Sequence, residues 1–325
     1  MRIRTSPAAL AAAATLAATG ALAQPAASPV GASPATSSAI QVVFVIAFEN
    51  HDAGQIYGNT KDAPYINGTL LPAYAHSTNF TDELPSLPSE PHYVWMEAGT
   101  NRFTDHTFTG DGDATNSNST SSKKHLVTQI KKAGTGITWM AYQEGINCST
   151  GACPISSSGY YAAKHDPFVF FRDVSGSPPS KTNAYCAAHH KDTSQLAADL
   201  ANHAVASYNF ITPNLCNDMH GASGCPNGNE INSGDQWLQA NLPAIIDYAN
   251  ANQGAIFLTW DEGDSTSKMP FIAIGPHVKA GYTSTVQVDH SSLLKSIERI
   301  LEVPILPKVS GANDFTDLFE AGFFP

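Results

Sequence analysis

The sequence predicts an α/β fold: a doubly wound, mostly parallel central sheet with helices on both faces and long loops over the site. Three observations predict it. Short apolar runs bounded by turn residues stand at 42–48, 136–142, 208–211, 255–260 and 271–274, as expected for strands buried on both faces. Stretches with helical periodicity lie among them at 124–132, 194–203, 235–251 and 291–301, and strands alternating with helices build parallel sheets. The first and fourth runs end in polar groups, Glu49-Asn50 and Asp261-Glu262, and open α/β sheets bind ligands beyond the carboxyl ends of their strands.

Taken in order, the chain begins with a basic Met1-Arg2-Ile3-Arg4, continues through an Ala-rich apolar stretch and reaches Ala21-Leu22-Ala23. Residues 1–23 therefore read as a secretory signal peptide. Residues 24–40, rich in Pro, Ala and Ser, read as a disordered spacer, and 41–325 as one domain with ample length for a large core. The formal charge is −11, and loss of the leader removes Arg2 and Arg4 but no acid. Nucleic acid is thus excluded as a natural partner. No later segment is apolar and long enough to span a bilayer, so no stable membrane insertion is expected after cleavage.

Export, to a periplasm or to the medium, is the expected location. In that oxidising compartment Cys148, Cys153, Cys186, Cys216 and Cys225 are candidates for disulfides. Cys148 with Cys153 and Cys216 with Cys225 are the closest pairs, leaving Cys186 over. The polar stretches 104–122 and 145–191 are long for connections and are expected to form a rim or lid.

Asp261 and Glu262 are costly neighbours at a buried strand end unless a cation sits between them. A doubly wound sheet brings distant strand ends to one edge, so Glu49 and Asn50 can join them in a hard-cation site of oxygen donors. Between these strands, Pro88-Ser89-Glu90-Pro91 opens a partly apolar helix. A hydroxyl at such a helix start can be a nucleophile activated by a metal, but by its position alone Ser89 reads first as an N-cap.

Six segments occur in one order: Glu49-Asn50-His51, Pro88-Ser89-Glu90-Pro91-His92-Tyr93, Asn217-Asp218-Met219-His220, Gly234-Asp235-Gln236-Trp237-Leu238, Trp260-Asp261-Glu262-Gly263-Asp264 and His290-Ser291-Ser292-Leu293-Leu294. Together they resemble the bacterial phosphoesterase family of acid phosphatases and phospholipases C, within the alkaline phosphatase superfamily. The resemblance implies one divalent metal ion held by Glu49, Asn50, Ser89, Asp261 and Glu262, with Ser89 also the nucleophile. Oxygen donors favour Ca²⁺, Mg²⁺ or Mn²⁺ over Zn²⁺. It further implies that His220 contacts the phosphoryl group, where neighbouring Asp218 could orient it or raise its pKa, and it offers His165, in Lys164-His165-Asp166-Pro167-Phe168, as either a second phosphate contact or a turn stabiliser. His290, at the start of the last helix, and Asp264, which could orient a catalytic histidine, complete the candidates.

The activity so implied is hydrolysis of a small phosphorylated substrate through a phosphoserine, most simply a phosphomonoester as in acid phosphatases. A phospholipase C-like phosphodiesterase, or an idle binding protein on the same scaffold, are the alternatives. The sequence departs from the family at His92, where Asn is usual, which bears on pocket shape more than on chemistry. It also lacks the Thr and the Asn-Arg pair usual in the phospholipases C, and the Cys-x-Pro-x-Arg element of sulfatases. Reliance on protonated histidines implies a mildly acidic optimum.

Overall fold

The computed structural model describes residues 40–134, 136–146 and 151–325. The expected signal peptide, nearly all of the spacer and Cys148 lie outside the described residues. Eight strands form one sheet: β1 Val42–Phe48, β2 Ala75–Thr81, β3 Trp139–Gln143, β4 His190–Asp192, β5 Tyr208–Thr212, β6 Gly254–Trp260, β7 Lys268–Ile274 and β8 Thr283–Ser284. Their order is β4-β3-β5-β1-β6-β7-β2-β8. Five adjacent pairs are parallel; β7 runs antiparallel to both β6 and β2.

Nine α-helices accompany the sheet among the described residues: α1 Ala53–Ile56, α2 Leu71–Ala73, α3 Ser89–Ala98, α4 Leu126–Ala133, α5 Arg172–Ser175, α6 Ala184–Ala188, α7 Leu196–Ala201, α8 Glu230–Ala251 and α9 His290–Ile300. They cover both faces. Phe44 and Phe48 of β1 meet Tyr248 and Trp237 of α8 edge-on. Phe210 of β5, in register with Val45 and so on the other face, meets Tyr93 of α3. Every residue of β1 and β6 is buried, which is why both strands read as unbroken apolar runs.

The central strands stand where the apolar runs predict them, and the peripheral elements depart from expectation. The run at 136–142 forms strand only from Trp139. Strand β2, between β7 and the two-residue edge strand β8, gives little sequence signal, since its buried apolar side chains are Ala75 and Phe80 alone, and a bulge separates Ser77 from Phe80. The strand-like 286–288 contributes a single bridge, Val288 to Phe80.

The stretch 145–191 is more than a rim, although it carries Lys164 and His165 to the carboxylates at the strand ends. It supplies Phe168, Val169, Phe170 and Phe171 to the core, and it contains α5, α6 and β4. The disulfides are Cys216–Cys225, the nearest-neighbour pairing, and Cys153–Cys186, which replaces the expected pairing of Cys153 with Cys148. Cys186 is therefore not left over.

Candidate active site

Ser89 is the first residue of α3, with Pro88 at the N-cap in extended conformation. It does not cap the helix. Its Oγ lies 3.0 Å from Glu49 Oε2 and 3.4 Å from Glu262 Oε1. One turn along α3, Tyr93 donates its hydroxyl to Glu49 Oε1 at 2.7 Å. A single short helix thus engages both oxygens of the carboxylate that ends β1.

The adjoining strand end is tied in equally closely. Asp261 N–H donates to the Phe48 carbonyl at 3.0 Å, and Asn50 N–H to Asp261 Oδ1 at 3.1 Å. Asn50 is held at φ 31°, in the left-handed region, and Met219, beside His220, at φ 76°. Backbone strain of this kind survives where surrounding structure over-determines it, commonly at functional sites. Gly234 of α8 leaves room for Met219, since a Cβ there would collide with the Met219 side chain.

The donor set suits a cation. Carboxylates accept hydrogen bonds only, yet the single hydroxyl hydrogen of Ser89 faces two of them. The Asn50 amide oxygen points at Glu49 Oε2, 2.9 Å away, and at Asp261 Oδ1, 3.2 Å away. An amide turned the other way would donate to both and close these contacts by itself; the groups close enough together to share an ion are Glu49, His165 and Asp218, and His92, Asp261 and Glu262. Asp261 Oδ2 is buried without any hydrogen-bond partner. Burial, and then the charges of Glu49 and Glu262, raise the Asp261 carboxyl well above its usual range; burial and Asp218 do the same for Glu49. The expected ligands Glu49, Asn50, Ser89, Asp261 and Glu262 are therefore brought together.

The histidines divide. His165 is buried, with Nε2 3.2 Å from Glu49 Oε1, Nδ1 3.3 Å from Asp218 Oδ2, and the Tyr93 ring stacked on it. Both ring nitrogens face carboxylates, so it braces the site from within instead of reaching out as a second phosphate contact. Asp218 accepts the backbone N–H of His220 at 2.8 Å and turns its other oxygen to His165. It therefore orients the His220 loop through the main chain and not through the ring. His220 donates Nδ1–H to the Gly221 carbonyl at 2.8 Å, which leaves Nε2 as the available nitrogen.

His290 lies apart from the open side. It is fully buried, donates Nε2–H to the Trp260 carbonyl at 2.9 Å and points Nδ1 at Glu83. Asp264 orients no histidine; it is exposed and accepts from Gln55 at 3.2 Å.

Residues with no role assigned from sequence also stand here. His92 bears more on chemistry than its place one turn after Ser89 implies. It is buried beside Asp261 and Glu262, with Nδ1 on the Pro88 carbonyl and Nε2 on Asp82, both at 2.9 Å. Burial opposes its charge, but Asp82 and Asp261 outweigh burial and raise its pKa. Lys164 reaches Asp111 Oδ2 at 2.7 Å and lies within the field of Glu49 and Asp261. Asp111 also accepts the Glu90 N–H at 3.1 Å, while Asn118 donates to Glu90 Oε2 at 3.0 Å. The stretch 104–122 is thus a rim fastened beside Ser89. Adjacency to His165 pointed to Lys164, and helical spacing from Ser89 to Tyr93; nothing local marked Asp111. A cavity of about 800 Å³ at the opposite end of the strands, beside Gln41 and Ser207, holds none of these groups.

A mostly parallel α/β sheet with a hydroxyl and carboxylates gathered at its central strand ends is a setting suited to the hydrolysis of phosphoric esters, and the relatives of the chain are of that class. The chain belongs to the phosphoesterase family, whose profile matches residues 69–304. Among its relatives is a phosphatidylinositol-3-phosphatase of Mycobacterium tuberculosis, 29% identical over 280 residues that cover 85% of this chain and 82% of the relative. A phosphate-repressible acid phosphatase of Penicillium chrysogenum is 29% identical over 188 residues, 54% of this chain; the match spans only 42% of the fungal protein. In fold, the chain resembles murine ectonucleotide pyrophosphatase / phosphodiesterase 5, with TM-score 0.56 at 10% identity, covering 86% of this chain and 100% of that one. It also resembles a phosphonate monoester hydrolase from Silicibacter pomeroyi, with TM-score 0.53 at 13% identity over 86% and 76% of the two chains.

Proposed function

We propose that this phosphoesterase is an exported, metal-dependent acid phosphatase that hydrolyses small phosphomonoesters through a phosphoserine. The observation that carries the reading is Ser89 Oγ, placed at a helix start between the carboxylates of two strand ends remote in sequence. Phosphatase names among the relatives support the reaction class. Two disulfides support export, with residues 1–23 as the leader, and no helix among the described residues is long and apolar enough to cross a membrane.

In this reading Glu49, Asn50, Ser89, Asp261 and Glu262 would hold a divalent cation, which when bound would lower the pKa of the Ser89 hydroxyl and offset phosphoryl charge. The chain's own residues do the rest. Tyr93 and His165 fix Glu49; Asp218 fixes the backbone of the loop that carries His220. Ser89 Oγ, giving its hydroxyl proton up to water, attacks phosphorus in line as the bond to the leaving oxygen breaks, and His220 gives its Nε2 proton to that oxygen. Lys164 supplies standing positive charge. Water then attacks the phosphoserine, releasing phosphate and restoring the hydroxyl.

Assay of p-nitrophenyl phosphate with and without a chelator tests the proposal. Turnover that stops with the chelator and returns with Mg²⁺, Ca²⁺ or Mn²⁺ is expected. Turnover indifferent to the chelator would remove the metal from the reading, and no turnover under any condition would leave the idle scaffold.

A further inference from the structure

A cavity of about 190 Å³ opens beside the site, with His220, Gly221, Ala222, Asn227, Glu230 and the Cys216–Cys225 disulfide in its wall. His220 belongs to this cavity and also lies 5.8 Å, ring to ring, from His165 beneath the cluster. The cavity therefore adjoins the phosphoryl end. A second link runs through His51. Its Nδ1–H donates to the Glu49 carbonyl at 3.0 Å, and its Nε2 faces Glu230 Oε1 at 3.8 Å. Glu230 thus spans from the residue after Asn50 to the residue after His220. It fits there because Gly221, at φ 75°, has no side chain: a Cβ would stand 2.9 Å from Glu230 Oε2.

The lining selects a chemistry. The Glu230 side chain is 51% exposed, and no hydrogen bond to its carboxylate is found among the described residues. Such a carboxylate takes hydroxyl donors and repels anions. Asn227 is held by its own bonds, donating to Asn232 at 3.0 Å and accepting from Asn229 N–H at 3.2 Å, with one amide hydrogen to spare. Ala222 is a small apolar contribution. With each water occupying roughly 30 Å³ of liquid, the space matches about six waters, near a single hydroxylated ring and short of a nucleoside.

Resting on the phosphatase reading, we infer that this cavity is the leaving-group subsite and that Glu230 selects neutral polyol leaving groups, such as sugar, inositol or glycerol, over anionic ones. The test compares kcat/KM for glycerol 2-phosphate, glucose 6-phosphate, inositol monophosphate, ADP and p-nitrophenyl phosphate in the wild-type chain, Glu230→Ala and Glu230→Gln. The wild type is expected to prefer the polyol phosphates to ADP. Glu230→Ala is expected to lower the ratio of polyol phosphate to p-nitrophenyl phosphate by about tenfold, mostly through KM, as the loss of a hydrogen bond to a charged group implies. Glu230→Gln is expected to raise ADP turnover relative to p-nitrophenyl phosphate. Ratios unmoved by either replacement, or a parallel fall for every ester, overturn the subsite while leaving the phosphatase intact. A wild-type chain that hydrolyses none of the five overturns the phosphatase reading, and the subsite with it.

Discussion

Helix α3 has a buried histidine between two carboxylates near each end, and the two triads differ in one respect. Near its C-terminus, His125 lies 2.9 Å from both Glu97 Oε1 and Asp173 Oδ1, with the Phe171 ring stacked 4.0 Å away. Near its N-terminus, His165 lies between Glu49 and Asp218, with the Tyr93 ring 5.1 Å away. Both pairs of acids have further donors: Val127 N–H to Glu97 at 2.7 Å and the Thr128 hydroxyl to Asp173 at 2.8 Å at one end, and the Tyr93 and Ser89 hydroxyls to Glu49 with His220 N–H to Asp218 at the other; the difference lies in the charge around them. Burial opposes charge on His125, yet its hydrogen bonds to Asp173 and Glu97 win and raise its pKa. Around His165 burial, then Lys164 and His220, push the imidazole pKa down, and the flanking acids face still more acids. A buried triad whose histidine charge is held by its two acids is a clamp. One left with excess negative charge calls for a ligand.

Four experiments break or sharpen this contrast. Ser89→Ala, at the open end, should lower kcat by about a thousandfold or more without moving the circular dichroism spectrum; near-normal turnover would sink the nucleophile. His125→Ala, at the closed end, leaves two buried acids without their cation and should cost about 3–5 kcal/mol in denaturant unfolding, while the kcat of folded protein stays within several-fold. A loss of kcat by orders of magnitude at unchanged stability would reverse the roles of the two triads.

Chelation should lower the melting temperature as well as the activity, because the site's acids then repel one another. Restoring Mg²⁺, Ca²⁺ or Mn²⁺ at about a hundred times its Kd should return about 2.7 kcal/mol. An unchanged melt would show that the cluster balances its charge internally.

The smallest expected effect lies away from both triads, at Glu298, which burial pushes to about 7 while both its oxygens accept from Leu306 N–H. The unfolded chain releases this proton near pH 4.5, the ordinary value, so the folded state loses stability as pH rises from there to about 7 and no further. Glu298→Gln should flatten the decline by on the order of 1–2 kcal/mol across that window, read from melts at several pH values. Parallel pH curves would mean that Glu298 titrates normally.

The metal-competent strand ends were readable from sequence because β1 and β6 are apolar throughout and break abruptly into Glu49-Asn50 and Asp261-Glu262. The brace around them was not. His92 and Tyr93 lie in one of the six ordered segments and Lys164 beside a candidate histidine, but nothing local says what their side chains touch, and Asp111 lies in a polar loop without periodicity. The surroundings of His165, His290 and Asp264 were hidden for the same reason: which way a ring or carboxylate points depends on partners such as Glu83, Gln55 and Trp260, brought in by other parts of the chain. Cys153 likewise pairs with Cys186 across 33 residues, because the intervening loop folds back on itself.

By itself the sequence determined the doubly wound sheet, the family and the acids at the strand ends, since burial periodicity and short motifs are properties of contiguous residues. Only the tertiary structure decided which histidine is a brace and which has a free nitrogen, and that Glu230 stands beside His220. Hydrogen-bond direction and charge balance are set by distances between segments, and those exist only once the sheet has brought its strand ends together.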